Sequence, residues 1–142
     1  MSALVPALIA WFVAQVSKTI ILSIKAKKFR LAAMTASGGM PSSHSAMVVA
    51  LSTSVGLTEG WTSVAFAICV VFAFVVIYDA FNVRRSVGLQ GMRINQMLDE
   101  WDDFESLDWD KLRVTLGHTP LEVAAGIALG LLCGFFCPSI TL

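Results

Sequence analysis

The chain has 142 residues, of which 56% are apolar and 14% charged, and ten Lys and Arg balance ten Asp and Glu. Globular domains are typically about 45–50% apolar and about 25% charged, so this composition excludes an ordinary soluble domain and indicates a membrane protein. The zero net charge excludes a strongly basic nucleic-acid-binding protein. The length fits a single domain, 1–142, with room for no more than about five spanning helices of about 20 residues each.

Four apolar segments predict an all-α membrane bundle of four transmembrane helices. They run over 3–24, 45–57, 61–80 and 121–136. The second segment is too short to cross a bilayer unaided, so we expect its neighbours to bury it. The N-terminus lacks the basic flank and the cleavage site of a signal peptide, and the first segment is therefore expected to stay in the mature protein.

The basic residues are confined to two regions of the chain. One region lies at and after the end of the first apolar segment, and the other lies between the third and fourth segments: Lys18, Lys25, Lys27, Lys28 and Arg30, then Arg84, Arg85, Arg93, Lys111 and Arg113. With four spans both regions share one face. The positive-inside rule puts that face in the cytoplasm and both termini outside, as in a bacterial-type inner membrane.

An acidic run from Asp99 to Asp110 follows the third apolar segment. Around it Met97, Trp101 and Phe104 recur at helical spacing, which predicts a short amphipathic cytoplasmic helix. The acids are compatible with a solvated helix face, a metal site or a surface for a partner protein, although their spacing does not follow that of Ca²⁺-binding loops.

The first of two polar strings that carry the chain's two histidines is GGMPSSHSA at 38–46. Its glycines favour a turn, its proline stops a preceding helix, and Ser42 or Ser43 can cap the next helix. The string predicts a helix N-terminus whose free N–H groups bind an anion, with His44 in the first turn. The alternative is an ordinary capped junction between a loop and a helix.

The second string, GHTPLEV at 117–123, opens the fourth apolar segment. His118 and Glu122 are four residues apart and share a helical face, so the carboxylate can hold one ring nitrogen while the other stays nucleophilic. Polar groups at membrane depth are costly, and this pairing gives Glu122 a partner. The alternative is a histidine that merely contacts an acid at a helix start.

Other polar residues are predicted at the same side of the bundle. Lys18 closes the first segment and YDAFNVRR at 78–85 closes the third. Arginine binds phosphate through two donors and lysine as a point charge, so Lys18, Arg84 and Arg85 are candidate phosphate ligands. Asp79 and Asn82 are candidates to support them. Membrane anchoring explains each basic residue separately, but their common side favours one shared site.

Together these strings resemble the phosphatidic acid phosphatase type 2 superfamily, which is related to acid phosphatases and vanadium-dependent haloperoxidases, and more closely its small divergent membrane branch. The superfamily has a Lys followed seven residues later by Arg-Pro, then Pro-Ser-Gly-His, then Ser-Arg with a His six residues after the Arg and an Asp four beyond that. GGMPSSHSA and GHTPLEV are similar to the second and third motifs, and the resemblance extends from about 17 to about 130.

The resemblance implies a phosphatase that uses neither metal nor cofactor and whose site accepts phosphate or vanadate. It implies that His118 is the nucleophile, that Glu122 orients it and that His44 is the general acid. By the same resemblance Lys18, Ser42 and Ser43 bind phosphate.

The chain departs from the superfamily motifs at three places. Lys25 and Ala26 stand where Arg-Pro is expected, Ser43 replaces the glycine, and Leu112 occupies the arginine position of the third motif with Arg113 beside it. Because Arg84 and Arg85 carry the right charge and are predicted on the same side of the membrane, we infer that they substitute for the missing arginines.

The sequence therefore favours a membrane phosphatase that hydrolyses a lipid or isoprenoid phosphate monoester or diphosphate through a phosphohistidine at the cytoplasmic face. A catalytically weak phosphate-binding scaffold and a small metal or ion carrier are the alternatives, although no internal repeat supports a carrier. The three cysteines lie in apolar stretches and are interpreted as packing residues. Membrane lipid and a phosphorylated lipid substrate are the expected partners, and the sequence leaves open whether the protein is a homodimer.

The distribution of basic residues makes the topology testable. A reporter fused after Leu142 should be extracytoplasmic and one inserted near Asp103 should be cytoplasmic, because positive charge is retained on the inner side. Paired alkaline phosphatase and fluorescent-protein fusions measure this, and a cytoplasmic C-terminus would contradict the four-span prediction.

Overall fold

The computed structural model describes residues 3–28, 39–100, 112, 114 and 117–137, and all the regular structure in these residues is helical. The helices are α1 Leu4–Ala26, α2 Ser43–Glu59, α3 Val64–Tyr78, α4 Arg84–Asp99 and α5 Pro120–Phe136, and a π-helical segment, Asp79–Val83, joins α3 to α4. The predicted all-α class is confirmed for this part of the chain.

The prediction for the end of the third segment is wrong. We expected that helix to end at Ala80, but it continues through the π segment into α4 as one rod over Val64–Asp99 of 36 residues. At about 1.5 Å per residue the rod is about 54 Å long, whereas the hydrocarbon core of a bilayer is about 30 Å thick. The apolar run ends near Ala80 because polar and charged residues follow it, but charge ends an apolar run without ending helical geometry.

The predicted amphipathic helix lies mostly outside the described residues. Met97 belongs to α4, whose C-cap is Glu100, whereas Trp101 and Phe104 are not among the residues that the structure describes. That helix stays a prediction.

Two helices, α1 and the rod that contains α3, are long and apolar enough to cross a membrane, and α5 is a shorter apolar helix. The side chains of α3 are mostly exposed, with Val64 at 77% and Phe74 at 71%, as expected of a helix surrounded by lipid. These features are consistent with a membrane location, while the number of spanning helices stays a prediction.

Helix α2 lies at the centre of the bundle and packs against α1, α3 and α5. Ten of its 17 residues are buried, as expected for the short second segment. Its buried hydroxyls bond back to the helix: Ser52 Oγ donates to the Val48 carbonyl at 2.8 Å and Thr53 Oγ1 donates to the Val49 carbonyl at 2.9 Å. Ser52 also donates to a carbonyl of α3, that of Cys69, at 3.1 Å. These bonds allow a hydroxyl-rich helix to be buried without unpaired donors at these positions.

Small residues allow the backbones of α2 and α5 to touch. Gly126, Gly130 and Gly134 of α5 are spaced four apart and are all buried. A Cβ at Gly126 would lie 2.5 Å from the Ser42 carbonyl oxygen, and one at Gly130 would lie 2.6 Å from the Ala46 carbonyl oxygen. This spacing is typical of close helix packing in membranes, and it was visible in the sequence but not used.

The glycine contact makes a stability prediction. Gly130→Ala should lower the free energy of unfolding by about 1–3 kcal/mol, because the new methyl group would force α2 and α5 apart. Gly91→Ala in α4 is the matched control, since a Cβ there meets nothing closer than Val114 Cγ2 at 3.5 Å. The control should be neutral or stabilising by up to about 1 kcal/mol. Thermal unfolding in detergent measures both, and equal losses would contradict the packing argument.

Candidate functional site

The starts of α2 and α5 meet on one side of the bundle, beside the π segment and Lys18, which lies within α1 and not at its end as the sequence predicts. One backbone hydrogen bond joins the two histidine strings, from the Ser42 N–H to the Glu122 carbonyl at 3.0 Å, and a second joins the His118 N–H to the Ala80 carbonyl of the π segment at 3.0 Å. Gly39 packs over α1, since a Cβ there would lie 3.1 Å from Lys18 Cδ. Residues far apart in the sequence therefore surround one region at the start of α2 and α5.

Ser42, not Ser43, is the N-cap of α2. Its Oγ accepts the Ser45 N–H at 3.4 Å and the Ser45 hydroxyl at 3.0 Å, and Ser42 is fully buried. Both acceptor sites of Ser42 Oγ and its backbone N–H are therefore used by the fold, and the hydroxyl proton is the one donor that Ser42 keeps for a phosphate oxygen.

The first turn of α2 presents the donors that the motif predicts. Ser43 and His44 are the first two residues of the helix, and the described residues supply no acceptor for their N–H groups. Ser43 is buried and His44 is exposed. A helix N-terminus with unused N–H groups carries partial positive charge and favours an anion.

Helix α5 begins with a capping box that also holds His118. Thr119 is the N-cap, its N–H donates to Glu122 Oε2 at 3.0 Å, and its Oγ1 accepts the Glu122 N–H at 3.4 Å. The same Oε2 lies 3.1 Å from His118 Nδ1. The string TPLE at 119–122 carries the signals for the box and for the proline at the first helical position of α5, whereas the prediction from sequence rested only on the pair four residues apart.

His118 as a whole residue is 6% exposed, and its Nε2 has no hydrogen-bond partner among the described residues. An ionised carboxylate can only accept a hydrogen bond. Glu122 therefore favours the tautomer in which Nδ1 carries the proton and Nε2 keeps its lone pair. This arrangement leaves a nucleophilic nitrogen at the mouth of the bundle.

Lys18 is buried in the bundle at 3% exposure and interacts electrostatically with Glu122 of α5. A lysine that only anchors α1 at the membrane surface would extend its ammonium group into water. The burial of Lys18 therefore favours membership of the polar cluster over snorkelling.

Arg84 reaches the cluster from the π segment, whereas Arg85 does not. The Arg84 Nε donates to Asp79 Oδ2 at 2.6 Å, and both charges interact electrostatically with His44. Arg85 is exposed and its side chain has no partner in the described part of the chain. Asn82 is partly buried and likewise makes no hydrogen bond there.

Leu112, at the arginine position of the superfamily's third motif, brings no charge to the cluster. It is held against α4 by Asn95, which donates Nδ2–H to the Leu112 carbonyl and accepts the Leu112 N–H, both at 2.9 Å. Arg113 lies outside the described residues.

The polar groups lie within electrostatic range of one another. The charges of Arg84, His118 and Lys18 disfavour a proton on His44 and that of Asp79 favours one, and these four residues belong to three different parts of the chain. In contrast, the described residues contain no group of three His, Cys, Asp or Glu side chains that could hold a metal ion.

Comparison with known proteins agrees with the resemblance. A family model described as "Divergent PAP2 family" matches residues 1–133. The uncharacterized membrane protein YuiD of Bacillus subtilis (strain 168) is 40% identical over 140 residues, which cover 91% of this chain and 89% of that protein. No solved structure matches the chain.

The pairing of His118 with Glu122 predicts its tautomer. In ¹⁵N spectra of histidine-labelled protein in detergent, the neutral His118 ring should carry its proton on Nδ1. In Glu122→Ala the ring should instead show the mixture of both tautomers that a free imidazole has. The chain has two histidines, so His44→Ala assigns the signals. A wild-type His118 protonated on Nε2 alone would contradict the geometry.

Proposed function

Because the chain belongs to the divergent PAP2 family, whose model covers residues 1–133, we propose that it is a membrane-embedded phosphatase. Its substrates are lipid or isoprenoid phosphate monoesters or diphosphates, and the reaction takes place at the cytoplasmic face of the membrane. The protein needs neither a metal nor a cofactor for this chemistry.

The observation that carries the proposal is the buried pair of His118 and Glu122. Glu122 Oε2 lies 3.1 Å from Nδ1, so it fixes the ring and stabilises the positive charge that develops as Nε2 attacks phosphorus. The attack forms a bond between Nε2 and phosphorus and breaks the bond between phosphorus and the leaving oxygen. Water then cleaves the phosphohistidine and releases inorganic phosphate.

His44 is the general acid in this scheme. It is the second residue of α2, beside the unused N–H groups, and it lies within electrostatic range of His118 in the loop before α5. No acid lies four residues along the chain to hold it as Glu122 holds His118. An imidazole that is exposed and less constrained suits the delivery of a proton to the leaving oxygen.

The substrate phosphate is bound by Lys18, Arg84 and the first N–H groups of α2. Lys18 offers a buried ammonium group and Arg84 a guanidinium group near His44, while α2 offers backbone donors. Such a mixture of donors is suited to phosphate oxygens, because each contact is charge-assisted. Arg84 thus compensates for one arginine that the superfamily motifs have and this chain lacks.

A catalytically weak phosphate-binding scaffold is the second candidate. It is favoured by the Ser42 N–H, which already donates to the Glu122 carbonyl, and by the neutral Leu112, which leave fewer transition-state contacts than the superfamily motifs provide. Phosphate release from a panel of lipid phosphates by the purified protein separates the two. A phosphatase should turn over in EDTA and be inhibited by vanadate, whereas a scaffold should bind phosphate without releasing it from substrates.

The division of labour between the histidines is testable. His118→Ala should abolish turnover and any acid-labile phosphoenzyme, because the nucleophile is lost. His44→Ala should slow turnover of lipid substrates by about 10²–10⁴-fold but still allow labelling from nitrophenyl phosphate, whose leaving group needs no proton. Glu122→Gln should lie between them, since an amide can orient the ring without balancing its charge.

Phosphoenzyme trapping with labelled substrate and steady-state rates measure these effects. If His44→Ala abolished labelling while His118→Ala retained it, the assignment would be reversed. If all three variants matched an active wild type, the active site would lie elsewhere.

A further inference from the structure

The π segment changes the hydrogen bonding of the long helix at the point nearest the site. The Arg84 N–H donates to the carbonyl of Asp79, five residues back. In an α-helix it would donate to the carbonyl of Ala80, four residues back. The Ala80 carbonyl instead accepts the backbone N–H of His118 at 3.0 Å. The π turn therefore provides the acceptor that anchors the loop before α5.

The same turn brings Asp79 and Arg84 together. In an α-helix, residues three or four apart are neighbours, and residues five apart do not face each other. Here the π turn allows the Arg84 Nε to reach Asp79 Oδ2 at 2.6 Å. A π turn within an α-helix is rare and frequently occurs at a functional site.

Stability alone gives little reason for this ion pair. The side chains of Arg84 and Asp79 are 55% and 39% exposed, and solvent-exposed ion pairs typically contribute little to stability. A bare carboxylate beside a phosphate site would repel the ligand. Its presence needs another explanation.

The geometry of the contact supplies one. Asp79 contacts Nε, and the described residues give the two terminal nitrogens of Arg84 no partner. Those nitrogens form the end-on fork that binds two phosphate oxygens at once. The turn that carries both residues is bonded to His118 through the Ala80 carbonyl, and both charges lie within electrostatic range of His44, so the fork is held near the site.

We propose that Asp79 is a positioning residue, which holds Arg84 by Nε so that its terminal nitrogens bind the substrate phosphate. This inference rests on the proposed function, since it takes Arg84 to be a phosphate ligand. Without the carboxylate, the guanidinium group samples many rotamers and loses that conformational freedom only when phosphate binds.

The test compares phosphate and vanadate affinities of the full chain in detergent by titration calorimetry. Asp79→Ala should weaken binding about tenfold, in line with the loss of a hydrogen bond to a charged group. Asp79→Asn should weaken it less, because its amide oxygen can still accept from Nε. In the Arg84→Gln background Asp79→Ala should have no further effect, which a purely structural contribution would not reproduce. Arg93→Gln makes the same charge change as Arg84→Gln farther along α4, so it is the control and should leave the phosphate affinity unaltered.

The opposite explanation makes opposite predictions. If Asp79 competes with phosphate for Arg84, then Asp79→Ala and Asp79→Asn bind phosphate as well as or better than the wild type, and the proposal is overturned. If Asp79→Ala lowers the phosphate affinity by the same factor in the wild type and in the Arg84→Gln background, the proposal is overturned as well.

Turnover of nitrophenyl phosphate by the same samples separates this inference from the phosphatase proposal. If the wild type shows no turnover but its phosphate binding is weakened by Asp79→Ala, the positioning inference is supported and the phosphatase proposal is rejected. Normal KM and kcat in Asp79→Ala reject the positioning inference and leave the phosphatase intact. A wild type that binds neither anion at millimolar concentration overturns both.

Discussion

The close contact between α2 and α5 is the constraint on which the rest of the site depends. Gly126, Gly130 and Gly134 allow the two backbones to meet, and the Ser42 N–H reaches the Glu122 carbonyl at the end of that contact. A larger side chain at Gly126 would meet the Ser42 carbonyl oxygen directly, so the glycine stripe sets the distance between the two strings that carry the histidines. Since lipid gives helices little hydrophobic reason to associate, such packing contacts carry much of the stability of a membrane bundle.

The polar cluster is attached to this frame by backbone groups more than by side chains. The N–H groups of Ser42 and His118 are bonded to carbonyls on other elements, and a capping box fixes the start of α5. Glu122 contributes both to the capping box and to the position of the His118 ring, because its Oε2 accepts the Thr119 N–H and also faces His118 Nδ1. A residue that the fold requires at a helix start thereby also orients the His118 ring, and the two interpretations of Glu122 are not exclusive.

The π turn at Asp79–Val83 is a second point where local irregularity and site coincide. It redirects the Ala80 carbonyl toward His118 and pairs residues five apart, and both effects arise from one shift in helical hydrogen bonding. The cost of an irregular turn inside a long apolar helix is offset where the freed groups find partners. Here one partner lies in the loop before α5 and the other, Asp79 with Arg84, lies within the turn itself.

The helical class, three of the helices to within a few residues and the family could be predicted from the sequence. Apolar periodicity, helix caps and short motifs are local signals, and a string such as GHTPLEV carries the pairing of His118 with Glu122 in its own spacing. The sequence did not predict that the third helix continues past Arg84, that the Ser42 N–H is bonded within the fold while the Ser43 N–H has no acceptor among the described residues, or that Arg84 rather than Arg85 joins the cluster. Those outcomes depend on which backbone and side-chain groups a neighbouring helix satisfies, and that is a property of packing between segments distant in the chain.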